Sequence, residues 1–345
     1  MKEKIIFSIK LLFTNICIVL IAVFVTELFF GYWFDKDNFG PYMREHRMKN
    51  QKIIWTYKNE IIEYNYKRNY YGFRAGDIEP SDIDAIILGG SMIDERYKPS
   101  QYTITEYLNK GLRSSNDPIK IVNAGVEGQS TKGIVSAFEN WLFKIREFKP
   151  RYVLIYTGIN DQSADADNVI SLATDGHLLN PEKIEVFMDN FKSRSFLYDQ
   201  ARIFKYKVLS TKKDFVKYDG KIDESYKKNY FFKGYKQAKK DIKKDTTKTN
   251  TYLKRIDKIH DYSKQLGAKP IFITNISAAG HTENTFLLNT ALIEHCGLKK
   301  YACIDLAKNL SGDVNYWYDG VHTTKEGSEI IASLILPELL IYLDN

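Results

Sequence analysis

Apolar residues follow two patterns along this chain, one continuous and one periodic. The continuous pattern runs from Leu11 to Phe34, where the only strongly polar interruptions are Thr14, Asn15, Thr26 and Glu27. About 20 apolar residues are needed to cross a bilayer as an α-helix, and here they would cover every face of that helix. We therefore predict a transmembrane anchor within residues 1–34.

The residues on either side of this run predict its orientation. Lys2, Lys4 and Lys10 precede it, and Tyr32 and Trp33 lie at its far end. Lysines favour the cytoplasmic side, and aromatic rings favour the interface. We expect a single-pass protein of the cell membrane, with a cytoplasmic N-terminus and an extracytoplasmic body. A cleaved signal peptide is the alternative, but the long apolar run and the bulky residues near its end favour an uncleaved anchor.

The periodic pattern predicts an α/β domain over residues 83–345. Short runs rich in Ile and Val lie at 85–88, 119–122, 152–156, 270–274 and 302–305. Amphipathic helical patterns lie at 103–112, 132–148, 252–266, 285–296 and 325–343, with Thr324 as N-cap of the last and Gly267 ending the third. Continuous apolar strands that alternate with helices indicate a parallel sheet covered on both faces. The predicted fold is a doubly wound three-layer α/β/α sandwich with a mostly parallel five-stranded sheet.

Two regions lack this alternation. Residues 35–82 show no clear period, and we interpret them as a juxtamembrane segment that packs on the main domain. Residues 165–250 are rich in Lys and Tyr towards their end, and we interpret them as an irregular or helical insertion over the active edge. This insertion is either a solvated helical surface or a cationic, aromatic surface for an anionic glycan or lipid headgroups.

Composition narrows the function classes. The 345 residues are 44% hydrophobic and carry a formal net charge of +7, which fits a globular body and gives no specific sign of nucleic-acid binding. The sequence implies no metal and no cofactor, because no Cys/His cluster has the spacing of metal ligands. Cys17 lies in the anchor, whereas Cys296 and Cys303 could pair in an oxidising compartment.

Loop-type residues follow three of the predicted strands. Ser91 follows the first strand, Gly125 the second and Asn160 the third. Ligands of doubly wound sheets bind beyond the carboxyl ends of the strands, so these residues are expected at one edge of the sheet. Such a set could supply a nucleophilic hydroxyl and donors for an oxyanion, namely the Ser91 N–H, the Gly125 N–H and the Asn160 amide.

A serine nucleophile also needs a base. Of the six histidines (His46, His177, His260, His281, His295 and His322), only His322 follows a carboxylate at short spacing and directly precedes a predicted helix. Asp319 could hold one nitrogen of its ring and leave the other to face Ser91. Gly90 and Asp161 are expected to support the two loops.

Four short motifs carry a family resemblance. Gly89-Gly90-Ser91, Asn123-Ala124-Gly125, Gly158-Ile159-Asn160-Asp161 and Asp319-Gly320-Val321-His322, taken in this order, resemble the four conserved blocks of the SGNH (GDSL-type) hydrolase superfamily. The segment from Asn69 to Arg74 also resembles one found upstream in membrane-anchored members. The first block has Gly-Gly-Ser where the family motif has Gly-Asp-Ser, but the nucleophile is intact.

The resemblance implies a function for each of these residues. Ser91 would be the nucleophile, His322 its base and Asp319 the group that orients the base, with Gly125 and Asn160 completing the oxyanion hole. We expect an esterase that removes O-acyl groups, above all O-acetyl, from a cell-surface carbohydrate. One alternative is an O-acyltransferase acting on an envelope polysaccharide and supplied by a membrane acyl-donor protein. A second alternative is a non-catalytic glycan-binding or assembly protein.

Overall fold

The computed structural model describes residues 2–31, 33–34, 50–113, 118–161, 191, 194–198, 200–201, 204, 215–219, 228, 230–243 and 249–343. The chain divides into two compact units. One comprises Met1–Arg44 with Pro181–Lys213, and the other comprises Glu45–Asn180 with Asp214–Asn345. All the predicted site residues belong to the second unit.

Strands and helices alternate through most of the second unit. The strands are β1 Asn50–Tyr57, β2 Glu60–Lys67, β3 Ala85–Gly89, β4 Ile121–Asn123, β5 Tyr152–Tyr156, β6 Phe215–Asp219, β7 Lys269–Ile273 and β8 Ala302–Ile304. The helices, including that of the first unit, are α1 Lys2–Phe30, α2 Ser91–Asp94, α3 Ile104–Leu112, α4 Thr131–Asn140, α5 Tyr235–Asp241, α6 Asn250–Gln265, α7 Glu283–Lys299, α8 Leu306–Asn309 and α9 Lys325–Leu343.

The first unit contains the predicted anchor. Residues Ile6–Phe30 of α1 form a helix long and apolar enough to cross a membrane. Its large apolar side chains are exposed along the helix, including Phe7, Leu12 and Phe24. A helix that is apolar on all faces and not covered by protein is typical of a membrane-spanning segment.

The main sheet has the predicted fold class. Its five strands are all parallel and lie in the order β4-β3-β5-β7-β8. This is the doubly wound arrangement, in which the chain starts at β3, places β4 on one side and the later strands on the other. Every residue of β3, β4 and β5 is buried, as expected for strands covered by helices on both faces.

The helix ends follow local sequence signals. The Thr324 hydroxyl accepts a hydrogen bond from the Gly327 N–H at 3.2 Å and caps α9. Gly267 has φ +83° just beyond α6, a conformation that glycine adopts without strain. The helix predicted over 132–148 is shorter than expected, because α4 ends at Asn140 and a 3-10 turn at Leu142–Lys144 follows.

A second sheet was missed by the sequence prediction. β1 and β2 form an antiparallel hairpin inside the segment expected to lack a period, and β6 from the insertion pairs with β1 in parallel. Alternate residues of β1, Ile53, Trp55 and Tyr57, are buried. The pattern was hidden because Tyr57 and Tyr66 occupy buried positions while Ile61 is exposed, and because β6 lies far from the hairpin in sequence.

Candidate active site

Ser91 lies where the strand β3 ends and the helix α2 begins. Gly90 precedes it as the N-cap residue of α2. A Cβ atom on Gly90 would lie 2.2 Å from Nδ2 of Asn160, so any larger residue would displace that side chain. As the first residue of a helix, Ser91 also has a backbone N–H without an intrahelical acceptor by position. The hydroxyl and this N–H are thus presented together at the edge of the sheet.

His322 connects Ser91 to a carboxylate. Its Nε2 lies 2.9 Å from Ser91 Oγ, and its Nδ1 lies 2.8 Å from Asp319 Oδ2. Since the carboxylate can only accept, Nδ1 carries the proton and Nε2 is left to accept the serine proton. Serine, histidine and aspartate therefore form one hydrogen-bonded chain, as the spacing predicted.

Asp319 is held by the loop that it begins. Its Oδ1 accepts the backbone N–H groups of Val321 and His322, both at 2.7 Å. Burial raises the pKa of Asp319, but the hydrogen bonds from His322 and Val321 outweigh burial and hold the pKa below its usual value. The carboxylate is therefore ionised at neutral pH and fixes the orientation of the imidazole.

Aromatic side chains surround the histidine loop. The Tyr97 ring packs edge-on against the imidazole of His322, with ring centroids 4.7 Å apart. Tyr97 belongs to a buried cluster with Trp55, Tyr57 and Tyr318, and Trp55 Nε1 donates to the Tyr318 hydroxyl at 2.8 Å. The missed hairpin thus contributes to the site by packing β1 against the residues that flank His322.

Asn160 and Asp161 occupy the loop after β5. Asn160 Nδ2 donates to the Gln129 carbonyl at 2.9 Å, and an amide NH2 group has a second proton for another acceptor. Asp161 is buried and accepts hydrogen bonds from Thr131 N at 3.0 Å and Thr131 Oγ1 at 2.5 Å. Burial raises the pKa of Asp161, and the Thr131 hydrogen bonds oppose that effect. Asp161 therefore ties the Asn160 loop to the start of α4.

Gly125 has different contacts from those expected. Its N–H donates to Asn123 Oδ1 at 3.0 Å, and its carbonyl accepts from Arg68. A Cβ atom on Gly125 would lie 2.4 Å from Asp94 N. The glycine therefore allows the loop after β4 to pack under α2. Its N–H has Asn123 as its partner in this structure, and its role as an oxyanion donor stays a prediction.

The segment from Asn69 to Arg74 supports α2, the helix that begins at Ser91. Asn69 Oδ1 accepts the Phe73 N–H at 3.0 Å, and Gly72 has φ +86°. This turn presents Arg74, which donates to the carbonyls of Asp94 and Lys98. The segment therefore fixes the far end of α2 and the turn that follows it.

A second buried arginine was not anticipated. Arg68 pairs with Asp94 at 2.8 Å and is 2% exposed at its side chain. The Tyr66 hydroxyl donates to the same carboxylate at 2.7 Å. A buried carboxylate requires such partners, but nothing in the local sequence shows that the chain brings these three residues together.

A buried lysine joins the serine loop to the histidine loop. Lys98 Nζ pairs with Glu95 Oε1 at 2.8 Å, and neither side chain is exposed. The same ammonium donates to the Thr323 carbonyl at 2.7 Å and to the Thr324 carbonyl at 3.2 Å. Glu95 also accepts from Ser328 Oγ at 2.7 Å. These contacts join the residues that follow α2 to the residues that follow His322.

The other histidines have separate environments. His281 Nε2 contacts the Ala307 carbonyl at 2.9 Å, and His295 Nε2 contacts Asp257 at 2.6 Å. His260 stacks on Tyr301. His46 and His177 lie outside the described residues. Among the histidines whose surroundings are described, His322 has Ser91 as a hydrogen-bond partner.

In the ranges that the structure describes, no group of three or more His, Cys, Asp and Glu side chains could hold a metal ion.

The chain is similar to several solved structures of lipolytic proteins and esterases. They include a putative lipolytic protein of the G-D-S-L family from Desulfitobacterium hafniense DCB-2 (11% identity, 74% of this chain and 99% of that chain, TM-score 0.43). Another is a catalytic mutant of Axe2, an acetylxylan esterase from Geobacillus stearothermophilus (12% identity, 74% and 93%, TM-score 0.42). A third is the psychrotrophic esterase EstA from Pseudoalteromonas sp. (10% identity, 76% and 100%, TM-score 0.44).

No protein-family model matches the chain, and a search of curated proteins gave no match. Because the structural similarities are low in identity and in TM-score, they do not bear on the chemistry. The site geometry has to carry that conclusion.

Proposed function

We propose that this chain is a serine esterase of the SGNH type. The observation that carries the proposal is the hydrogen-bonded chain from Asp319 through His322 to Ser91, with distances of 2.8 and 2.9 Å. A serine hydroxyl becomes a useful nucleophile only when a base within hydrogen-bond reach takes its proton. Ser91 meets this condition at the carboxyl end of β3.

The first half of the reaction forms an acyl-enzyme. Ser91 Oγ attacks the ester carbonyl while its proton moves to His322 Nε2, and a tetrahedral oxyanion forms. The oxyanion collapses, the bond to the alcohol oxygen breaks, and the imidazolium returns the proton to the leaving alcohol. Asp319 stays ionised throughout and stabilises the transient positive charge on His322.

Water completes the second half. His322 takes a proton from a water molecule that attacks the acyl-serine, and then returns a proton to Ser91 Oγ as the acid is released. The side chains of His322 and Asp319 are 26% and 45% exposed, so water has access to the base. This access favours hydrolysis over transfer to a sugar hydroxyl, which requires that water be excluded.

Two donors are placed to stabilise the oxyanion. They are the Ser91 N–H at the start of α2 and the second proton of the Asn160 amide, whose first proton is held by the Gln129 carbonyl. Such a donor contributes roughly 3–4 kcal/mol to transition-state stabilisation. The contact with Gln129 fixes the Asn160 side chain before substrate arrives, so no energy is needed to orient it.

We further propose that α1 anchors the enzyme in the cell membrane with the catalytic unit outside the cytoplasm. Two observations support this location. The lysines at positions 2, 4 and 10 are on the side that the positive-inside rule assigns to the cytoplasm. Cys296 and Cys303 form a disulfide with Cα atoms 6.3 Å apart, and disulfides persist in oxidising compartments.

The location suggests the substrate. An esterase held at the outer face of the cell membrane encounters envelope polysaccharides, whose O-acetyl groups are small esters of sugar hydroxyls. We propose these esters as the substrate, with acyl transfer to an envelope polysaccharide as the alternative reaction of the same acyl-enzyme.

A direct assay tests the chemistry. Purified full-length protein in detergent is incubated with a chromogenic acetyl ester, and Ser91→Ala serves as the matched control. We expect turnover by the wild type, none by the variant, and labelling of Ser91 by a serine-reactive phosphonate. The serine mechanism is wrong if neither turnover nor labelling occurs in folded protein. Adding sugar acceptors and measuring acylated product by mass distinguishes transfer from hydrolysis.

A further inference from the structure

The anchor helix contains a carboxylate close to its outer end. Glu27 lies three residues before the end of α1 at Phe30, inside the apolar segment Ile6–Phe30. Its side chain is 9% exposed. An ionisable residue inside a membrane span is costly unless it has specific partners, so such residues usually mark an interaction.

The partners come from a segment far along the chain. Ser195 Oγ and the Leu197 N–H donate to Glu27 Oε1 at 2.6 and 3.0 Å, and the Phe196 N–H donates to Oε2 at 3.1 Å. Trp33 Nε1 supplies a fourth hydrogen bond at 3.0 Å. Both carboxylate oxygens therefore accept two hydrogen bonds each.

Ring contacts continue this interaction. Phe30 packs against Phe196 with centroids 5.5 Å apart, and Trp33 packs against Phe191 with centroids 5.2 Å apart. The Ser195 hydroxyl also accepts the Tyr198 N–H at 3.0 Å. Polar and aromatic contacts thus join the outer end of α1 to the segment that contains these residues.

The same segment exposes aromatic side chains. Phe191, Tyr198 and Phe204 are 43%, 38% and 66% exposed, and Phe29 on the anchor is 75% exposed. Arg194 is exposed among them. Aromatic rings with an adjacent cation are typical of the boundary between lipid headgroups and acyl chains, where an arginine can reach a phosphate.

We propose that the described residues between Phe191 and Phe204 dock on the outer end of the anchor and lie in the lipid interface of the outer leaflet. Glu27 is the residue that holds them there, because it accepts three of their hydrogen bonds. With a rise of 1.5 Å per residue, Glu27 lies about 5 Å below the end of α1, which is the depth of the interface. This inference rests on the proposed membrane location and is independent of the esterase chemistry.

Fluorescence in lipid vesicles tests the depth of the segment. Full-length protein with Cys17→Ala is labelled at Tyr198→Cys or Phe204→Cys with an environment-sensitive dye, and at Leu298→Cys as an exposed apolar control. Vesicles of phosphatidylcholine and phosphatidylglycerol carry a quencher near the headgroup. Because groups at the interface lie close to the headgroups, we expect the labels in the segment to be quenched clearly more than the control label.

Removing the carboxylate tests the role of Glu27. In Glu27→Leu, the labels at 198 and 204 should no longer be quenched more than the control label. Flotation with vesicles should stay unchanged, because the anchor remains apolar. Equal emission of the segment labels and the control in the parent protein would overturn the interface placement. Unchanged quenching in Glu27→Leu would overturn the proposal that Glu27 holds the segment. Failure to float would instead contradict the membrane location on which both depend.

Crosslinking tests the contact without altering Glu27. Phe30→Cys with Phe196→Cys should form a linked peptide that mass spectrometry detects in vesicles. Phe24→Cys with Phe196→Cys is the matched control, because Phe24 is exposed on α1 about 9 Å deeper in the helix. Equal linkage of the two pairs, or linkage of the deeper pair alone, would contradict the docking.

Discussion

Replacing Lys98 with methionine should separate the stability of the catalytic unit from its activity. Lys98 Nζ contacts Glu95 at 2.8 Å, the Thr323 carbonyl at 2.7 Å and the Thr323 hydroxyl at 3.0 Å. Methionine retains the apolar stem and removes the ammonium. Glu95 is then left as a buried charge that still accepts from Ser328 and from the Ile104 N–H.

The size of the effect follows from burial. Removing one partner of a fully buried ion pair costs about 3–5 kcal/mol, because the remaining charge is uncompensated. For a domain of this size that corresponds to a decrease in Tm of roughly 6–10 °C. Thr323 directly follows His322, so loss of its anchor also displaces the base. A misplacement of about 1 Å costs about 100-fold in rate.

The assay measures both quantities on the full-length protein in detergent. Thermal unfolding gives Tm, and ester turnover per folded molecule, measured well below Tm, gives kcat. Lys120→Met is the matched control, since Lys120 is exposed. In Glu95→Gln with Lys98→Met, removal of the unpaired charge should restore most of the Tm, while kcat stays low. The reasoning is refuted if Lys98→Met retains wild-type kcat, or if the double variant recovers kcat together with Tm.

Further substitutions test other parts of the site. Asp319→Asn should lower kcat by about 10⁴-fold by favouring the wrong tautomer of His322, measured by ester turnover. The pKa of Asp319 is lowered in the folded protein. The ionised carboxylate therefore stabilises the fold above the unfolded pKa of about 3.9, and this stabilisation is lost as pH falls through the folded pKa. The Tm difference between the wild type and Asp319→Asn should accordingly shrink below about pH 4. Asn160→Ala should lower kcat by about 10²–10³-fold through loss of one oxyanion donor, and an unchanged kcat would remove Asn160 from that role. Replacing Cys296 and Cys303 with serine should cost about 2–3 kcal/mol, because the short loop they close gains entropy when unfolded; urea unfolding measures this, and equal stability of the two proteins would contradict it.

The main fold was predictable because its signals are local. The strands β3, β5 and β7 are continuous apolar runs, and a parallel sheet buried on both faces requires such runs. The carboxyl-end rule then placed Ser91 and Asn160 at one edge. The small sheet was not predictable in this way, since β6 pairs with β1 across a long stretch of chain.

The candidate site was predictable only in part. The spacing of Asp319 and His322 indicated their hydrogen bond, because two side chains three positions apart in a turn lie close together. Gly125 shows the limit of this reasoning. A glycine after a strand suits an oxyanion donor and also close packing; the contacts with Asn123 and Asp94 show the packing, and the donor role stays a prediction.

The residues of the candidate site, the class of the main sheet and the apolar N-terminal helix could all be predicted from the sequence alone. Each of these depends on residue type and local period, which the chain displays directly. The partners of the buried charged side chains, by contrast, could be identified only from the tertiary structure. Lys98 meets the loop after His322 across 225 residues, and Glu27 meets Ser195 across 168. The partner of a buried charge is set by the tertiary fold and can be distant in sequence, so no local sequence pattern identifies it.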